Sequence, residues 1–92
     1  MVEKACHNPA KLFCVENRGF IREGYFADLV LVNPDSPWTV DKSNILYKCG
    51  WSPFEGYTFR TKVEKTFVNG HLAYDNGVID ASKSGERLTF AR

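Results

Sequence analysis

"TKVEKTFVNGHLAYD", residues 61–75, reads as two extended runs joined by a two-residue turn. Asn69-Gly70 accepts φ > 0 at both central positions, the requirement of a type I′ hairpin. A two-residue loop also sets the register. It puts Val68 opposite His71, Phe67 opposite Leu72, Thr66 opposite Ala73 and Lys65 opposite Tyr74. Phe67, Leu72 and Tyr74 are then expected to share one face, with the stem of Lys65 lying along it. The hairpin is bounded at 62–75. "DNG" at 75–77 is a second turn signal, so Val78-Ile79 is expected to add a third short strand.

Upstream of the hairpin, "ADLVLVN" at 27–33 is an apolar, β-branched run between turn residues. It predicts a strand buried on both faces. "NPDSP" then turns the chain, because Pro34 and Pro37 cannot serve in a central strand. "WTV" at 38–40 is a candidate short strand. "DKSNILYK" leaves two readings open: Asp41 caps a turn of helix, or the segment is extended.

The N-terminal "VEKACHNPAKLF" is helical in composition. Val2, Ala5 and Cys6 form a weak apolar stripe. Pro9 costs a continuing helix a hydrogen bond, and Asn8-Pro9 suits an N-cap and first turn. The reading is one short helix ending near His7 and a second from Pro9 to about Cys14, with a single kinked helix as the alternative. After Ile79, "ASKSGERLTFAR" is expected to be a polar, loosely held tail. The fold class is mainly β: a short N-terminal helix or helix pair, then antiparallel-rich strands.

Composition sets further bounds. The 92 residues are 43% hydrophobic, 25% charged and 14% aromatic, which is globular rather than disordered. A chain this short buries only about 60–65% of its unfolded surface. Seven Phe, four Tyr and two Trp are many for so small a core. They point to packing against something beyond the chain. Twelve basic and eleven acidic side chains give a net charge of +1. That balance supplies no pull toward nucleic acid or an anionic membrane. No apolar run approaches the ~20 residues of a membrane span, and the first ten residues lack a signal-peptide core. Three irregularly spaced cysteines do not make a disulfide framework and suit a reducing, cytoplasmic setting.

Several residues carry chemistry and need weighing. Cys6, His7, Cys14, Cys49 and His71 are the soft metal donors. None of them matches a CxxC or HxxxH spacing, and neighbours such as Cys6 and His7 diverge by about 100° on a helix. His7 reads more simply as a helix-end residue near free carbonyls. Cys49 as nucleophile, His71 as base and Glu55 as orienter have the right types but no motif to position them. Asp28, the one charge in "ADLVLV", is expected at the strand's start, bonded to a backbone amide or facing Arg22. Arg60, Lys62 and Lys65 interleave with aromatics as in nucleic-acid-binding sheets, but Glu55 and Glu64 dilute the patch. In "GWSPFEG", Gly50 and Gly56 supply a permissive backbone and Pro53 fixes φ between them. Trp51 and Phe54 can anchor the loop, while Ser52 and Glu55 can satisfy its amides.

Taken in order, four segments form a pattern. They are "NPAKLF" at 8–13, "NRGFIREGYFADLVLVNPDSPW" at 17–38, "SPFEG" at 52–56, and Val63, Thr66, Val68, Gly70 and Tyr74 in the hairpin. This pattern resembles the C-terminal end of the amidohydrolase superfamily. Within it the chain is most similar to the cyclic-amide hydrolases. "NILYKCGWSPFEG" resembles the dihydroorotases, and allantoinases and dihydropyrimidinases share the general layout. The sequence departs from the family at Cys14 and near Arg60 and Thr61, where glycine is common.

The resemblance implies a parent enzyme of about 400 or more residues built on a TIM-like barrel. Residues 1–15 would be the barrel's last helical segment. Residues 16–80 would be strands of a composite β-sandwich beside the barrel, and 81–92 a tail. The family's two zinc ions sit on a His-x-His pair, a carboxylated lysine, two further histidines and an aspartate. No position here matches that set, so no catalytic, cofactor-binding or metal residue is expected within the chain. The implied partners are the barrel and the N-terminal strands of the parent, with self-association at exposed strand edges. "GWSPFEG" would be a packing segment. A free-standing β-rich binding module is the rival of a different class.

Overall fold

The computed structural model describes residues 1–92. Its centre is the expected hairpin. Strand β4 (Lys62–Val68) and β5 (His71–Asp75) are antiparallel, with Asn69 at φ 50° and Gly70 at φ 79° in the turn. The second turn repeats this chemistry, with Asn76 at φ 47° and Gly77 at φ 96°. It feeds β6 (Val78–Ile79), which pairs with β5. Strand β1 (Leu29–Asn33) lies on the other side of β4, so the sheet order is β1-β4-β5-β6.

The register holds for Val68↔His71 and Phe67↔Leu72, then changes. Beyond that point Thr66 pairs with Tyr74 and Lys65 with Asp75, leaving Ala73 as the extra residue of a bulge. A bulge reverses the alternation of side chains. Tyr74 therefore joins the row Val30–Thr66–Tyr74–Ile79, opposite the row Leu29–Phe67–Leu72. The expected shared face of Phe67, Leu72 and Tyr74 is corrected accordingly. Lys65 reaches the Asp75 carboxylate at 3.5 Å instead of lining an apolar face. A second bulge, at Glu64, separates Leu31↔Lys65 from Val32↔Val63.

Strand β1 is not buried on both faces. It is an edge strand, and Val30, Leu31 and Val32 are each about half exposed (55, 50 and 46%). Nothing in the chain forms a second layer over it.

Past the prolines the same two segments pair again. Strand β2 (Trp38–Thr39) pairs with β3 (Thr58–Phe59), and Ser36 N–H donates to the Arg60 carbonyl between the two ladders. One bent ribbon thus runs from the main sheet out to a loop at 41–56. Trp38 Nε1 donates to the Thr61 carbonyl at 2.8 Å and ties the bend. Asp41 does cap a turn of helix, a 3₁₀ turn over Lys42–Asn44, in a full capping box with Asn44.

The N-terminus is one helix, which is the kinked alternative. A π-helical turn (Glu3–His7) runs directly into α1 (Asn8–Leu12). Pro9 has no N–H to donate to Ala5. The wide turn, closed by Asn8 N–H to the Glu3 carbonyl, places this gap in an irregular stretch. Asn8 is therefore helical and not an N-cap. The helix ends in a Schellman arrangement, with Val15 N–H to Ala10 carbonyl at 2.9 Å and Cys14 N–H to Lys11 carbonyl at 3.3 Å. Cys14 takes the left-handed position, φ 54°. Gly19 then passes so close to the helix that a Cβ there would overlap Ala10 Cβ and lie 2.8 Å from the Cys6 carbonyl oxygen.

The far end of the polar tail is stitched back onto the helix end. Glu16 N–H donates to Thr89 carbonyl and Ala91 N–H to Cys14 carbonyl, around a Val15↔Phe90 bridge.

Only Ala10, Val40 and Arg18 are buried. The radius of gyration is 15.3 Å, against about 12 Å for a compact unit of this length. The accessible surface is 7405 Å², whereas a compact monomer of 10.5 kDa exposes about 5,400 Å².

Candidate functional site

Two features concentrate side chains: an apolar groove and a polar clamp. The groove, about 830 Å³, lies between the Thr66–Tyr74–Ile79 row and the bent ribbon. Val32, Val63 and Tyr74 line it from the sheet, Trp38 and Phe59 from the ribbon, and Leu46 from the loop. Phe59 is central to an aromatic cluster, with Tyr57 at 4.7 Å, Trp38 at 5.5 Å and Phe54 at 5.8 Å between centroids. The rest of the loop is open, and Trp51 is 60% exposed. Such a surface is suited to receiving apolar side chains.

The clamp is polar and partly buried. Arg18 Nη1 donates to the Asp28 carboxylate and to Asn69 Oδ1 (3.0 Å). The other Asp28 oxygen accepts the Asn69 N–H at 2.8 Å. Gly70 N–H donates to the Ala27 carbonyl at 3.0 Å, so the hairpin tip is docked on the start of β1. The Phe26 ring lies 4.0 Å from the guanidinium carbon. Asp28 is thus at the strand's start and bonded to a backbone amide, as expected, but its cation is Arg18. Arg22 lies instead over Phe20, at 4.1 Å, and bonds Tyr25 Oη. Sequence reasoning passed over Arg18 because its partners lie 10 and 51 residues away.

The suspected reactive groups do not converge. Cys49 is exposed, with its Sγ 3.8 Å from the Trp51 carbonyl oxygen. His71 faces Asp80, with Nε2 3.2 Å from its carbonyl oxygen and 3.6 Å from its carboxylate. Glu55 makes no side-chain hydrogen bond, and Ser52 Oγ alone caps a loop amide, that of Phe54. His7 is mid-helix and stacks on Phe20 at 4.3 Å, with no carbonyl partner. Cys6 and Cys14 are exposed. No three His, Cys, Asp or Glu side chains come together to hold a metal ion, so the donor set does not fit a zinc centre. Lys65 pairs with Asp75, and Glu64 accepts from Asn33 Nδ2 at 2.9 Å, which breaks the basic run.

Two aspartates have carboxyls held below their ordinary value of 3.8. For Asp41 the cause is the Ser43 hydroxyl first and the Ser43 N–H second. For Asp80 it is the Ser82 N–H, then the Ser82 hydroxyl, with smaller help from His71 and Lys83. Both are exposed turn residues.

Comparison with known proteins gives this architecture a family. The amidohydrolase family matches residues 1–73. A dihydroorotase of Pyrococcus furiosus is 36% identical over 88 residues, covering 96% of this chain and 21% of that protein. A dihydroorotase of Clostridioides difficile is 43% identical over 75 residues, 82% of this chain and 17% of that one. An allantoinase of Bacillus velezensis is 38% identical over 84 residues, 91% and 18% respectively. The chain belongs to the amidohydrolase family. It spans about a fifth of the length of the curated relatives it matches.

Proposed function

We propose that these residues are the C-terminal structural portion of a zinc-dependent dihydroorotase. The parent reaction is the reversible cyclisation of N-carbamoyl-aspartate to dihydroorotate in the cytoplasm. The carrying observation is the uncovered apolar face of the sheet. The accessible surface exceeds that of a compact monomer by about 2,000 Å². That is the scale of a permanent interface. A free-standing binding module would be expected to close its own core.

In this reading the helix (Glu3–His7 with α1) closes the barrel, and β1 to β6 supply part of the sandwich. Other strands of the parent cover Val30, Val32 and Ile79 and fill the groove. The chemistry then belongs to residues outside the chain. A metal there would activate the water that attacks the ring amide. The residues in hand brace the barrel.

The dihydroorotase reading is preferred to the allantoinase one because the dihydroorotases reach 43% identity to this chain and the allantoinase 38%. The choice between cyclic amides is made by barrel residues. The test is the coding frame upstream of Met1, followed by assay of the full polypeptide. A His-x-His segment and zinc-dependent turnover of dihydroorotate are expected. A stop codon directly upstream, or turnover of allantoin alone, overturns the proposal.

A further inference from the structure

Two asparagines of the chain are followed by glycine, Asn69 and Asn76, and each opens a two-residue turn. Their backbones match, with φ 50° and 79° along the first turn and 47° and 96° along the second. Their surroundings do not. Asn69 is clamped: Oδ1 accepts from Arg18, Nδ2 is sealed from solvent, the N–H donates to Asp28, and the Gly70 N–H donates to the Ala27 carbonyl. Asn76 and Gly77 are exposed, and the Gly77 N–H donates to no protein group. Asn76 is held by its N–H to the Glu64 carbonyl and by Nδ2 to the neighbouring Asp75 carboxylate, at 2.8 and 2.9 Å. It does not line the apolar groove. Its turn is closed on one side by the two exposed residues of β6, so it opens locally at little cost.

We infer that Asn76 is a site of spontaneous deamidation, and that the clamp protects Asn69 from the same reaction. The Gly77 nitrogen gives up its proton to water and attacks Asn76 Cγ. A C–N bond closes a five-membered imide. The Cγ–Nδ2 bond breaks, and the nitrogen takes a proton from water and leaves as ammonia. A second water opens the imide at either carbonyl, leaving aspartate or isoaspartate. Glycine suits the attack because it has no Cβ to block it and a backbone free to rotate. At Asn69 the same attack requires the side chain to leave Arg18 and the Gly70 N–H to leave Ala27. The product at Asn76 adds a negative charge beside Asp75, whose carboxylate lies 3.5 Å from Lys65 Nζ. Isoaspartate also lengthens the backbone of a two-residue turn, which loosens the pairing of β6 with β5.

The test uses the full polypeptide that carries this chain, held folded at mildly alkaline pH and sampled over time. Digestion and mass spectrometry, with the asparagine, aspartate and isoaspartate peptides separated, follow both turns in one sample. Asn76 is expected to convert at least ~10-fold faster than Asn69, the factor that an opening cost of about 1.4 kcal/mol imposes. In urea, where the clamp is gone, the two are expected to convert at comparable rates. Asp28→Ala is expected to speed conversion at Asn69 and leave that at Asn76 unchanged. Comparable rates in the folded protein, or faster conversion at Asn69, overturn the proposal. So does an Asn76 that persists in the folded protein while the urea sample converts.

Discussion

Asp28 accepts the backbone N–H of Asn69 at 2.8 Å, across 41 residues of sequence. This bond seats the β4–β5 turn on the residues just before β1, and the same carboxylate is the counter-ion of Arg18. Replacing Asp28 by Ala leaves the buried guanidinium unpaired and orphans an amide. The expected cost is about 3 kcal/mol in urea unfolding of the protein. Arg18→Met combined with Asp28→Leu is expected to cost less than Asp28→Ala alone, since no charge is stranded. A double variant at least as unstable as the single one would contradict the clamp.

Cys14 sits at φ 54° in the Schellman position, where an L-residue costs about 1–2 kcal/mol that glycine does not. Glycine returns part of this through unfolded-state entropy. Cys14→Gly is therefore expected to stabilise by about 0.5–1 kcal/mol, read as a higher urea midpoint with unchanged slope. A lower midpoint would show that the weak Sγ contact to the Lys11 carbonyl matters more than the backbone.

Gly19 and Gly24 share nearly the same φ, 85° and 83°, but not the same surroundings. A Cβ on Gly19 runs into Ala10 and the Cys6 carbonyl, while one on Gly24 meets nothing within 4 Å. Gly24→Ala is expected to cost about 1–2 kcal/mol from backbone strain alone. Gly19→Ala adds a clash with backbone and is expected to cost at least twice that. Equal losses would mean the loop does not pass against the helix as described.

The Asp41 carboxyl is expected to titrate below 3.8, because the Ser43 hydroxyl and N–H bond its charged form. A depressed value means the bonds favour the folded turn above 3.8. The turn then loosens as pH falls through the lower, folded value. Carboxyl shifts followed by NMR across acid pH measure this directly. Ser43→Ala is expected to raise the midpoint toward 3.8. A wild-type midpoint at or above 3.8 would remove the capping argument.

The turns were legible because Asn69-Gly70 and Asn76-Gly77 carry their own conformational preference. The β4-β5-β6 succession followed from them, whereas the apolar run at Leu29–Asn33 marked a strand without marking β4 as its neighbour. The bulges at Glu64 and Ala73 were not legible. A bulge alters facing without altering residue type, and Ala73 is acceptable on either side. Arg18 was missed because nothing local marks a cation whose partners are distant in sequence. At the candidate site, the types Cys49, Glu55 and His71 suggested chemistry that their separation in the fold does not support. The half-exposed Val30 and Val32 carry a strand pattern made for burial, yet no other part of this chain buries them.

In the proposed function these residues brace an enzyme whose reacting groups lie outside them. Dihydroorotate turnover, measured with added zinc for the isolated 92-residue chain and for the full polypeptide containing it, tests this most directly. Turnover by the full polypeptide and none by the isolated chain is expected. Turnover by the isolated chain, or a full polypeptide inert toward dihydroorotate, would contradict it.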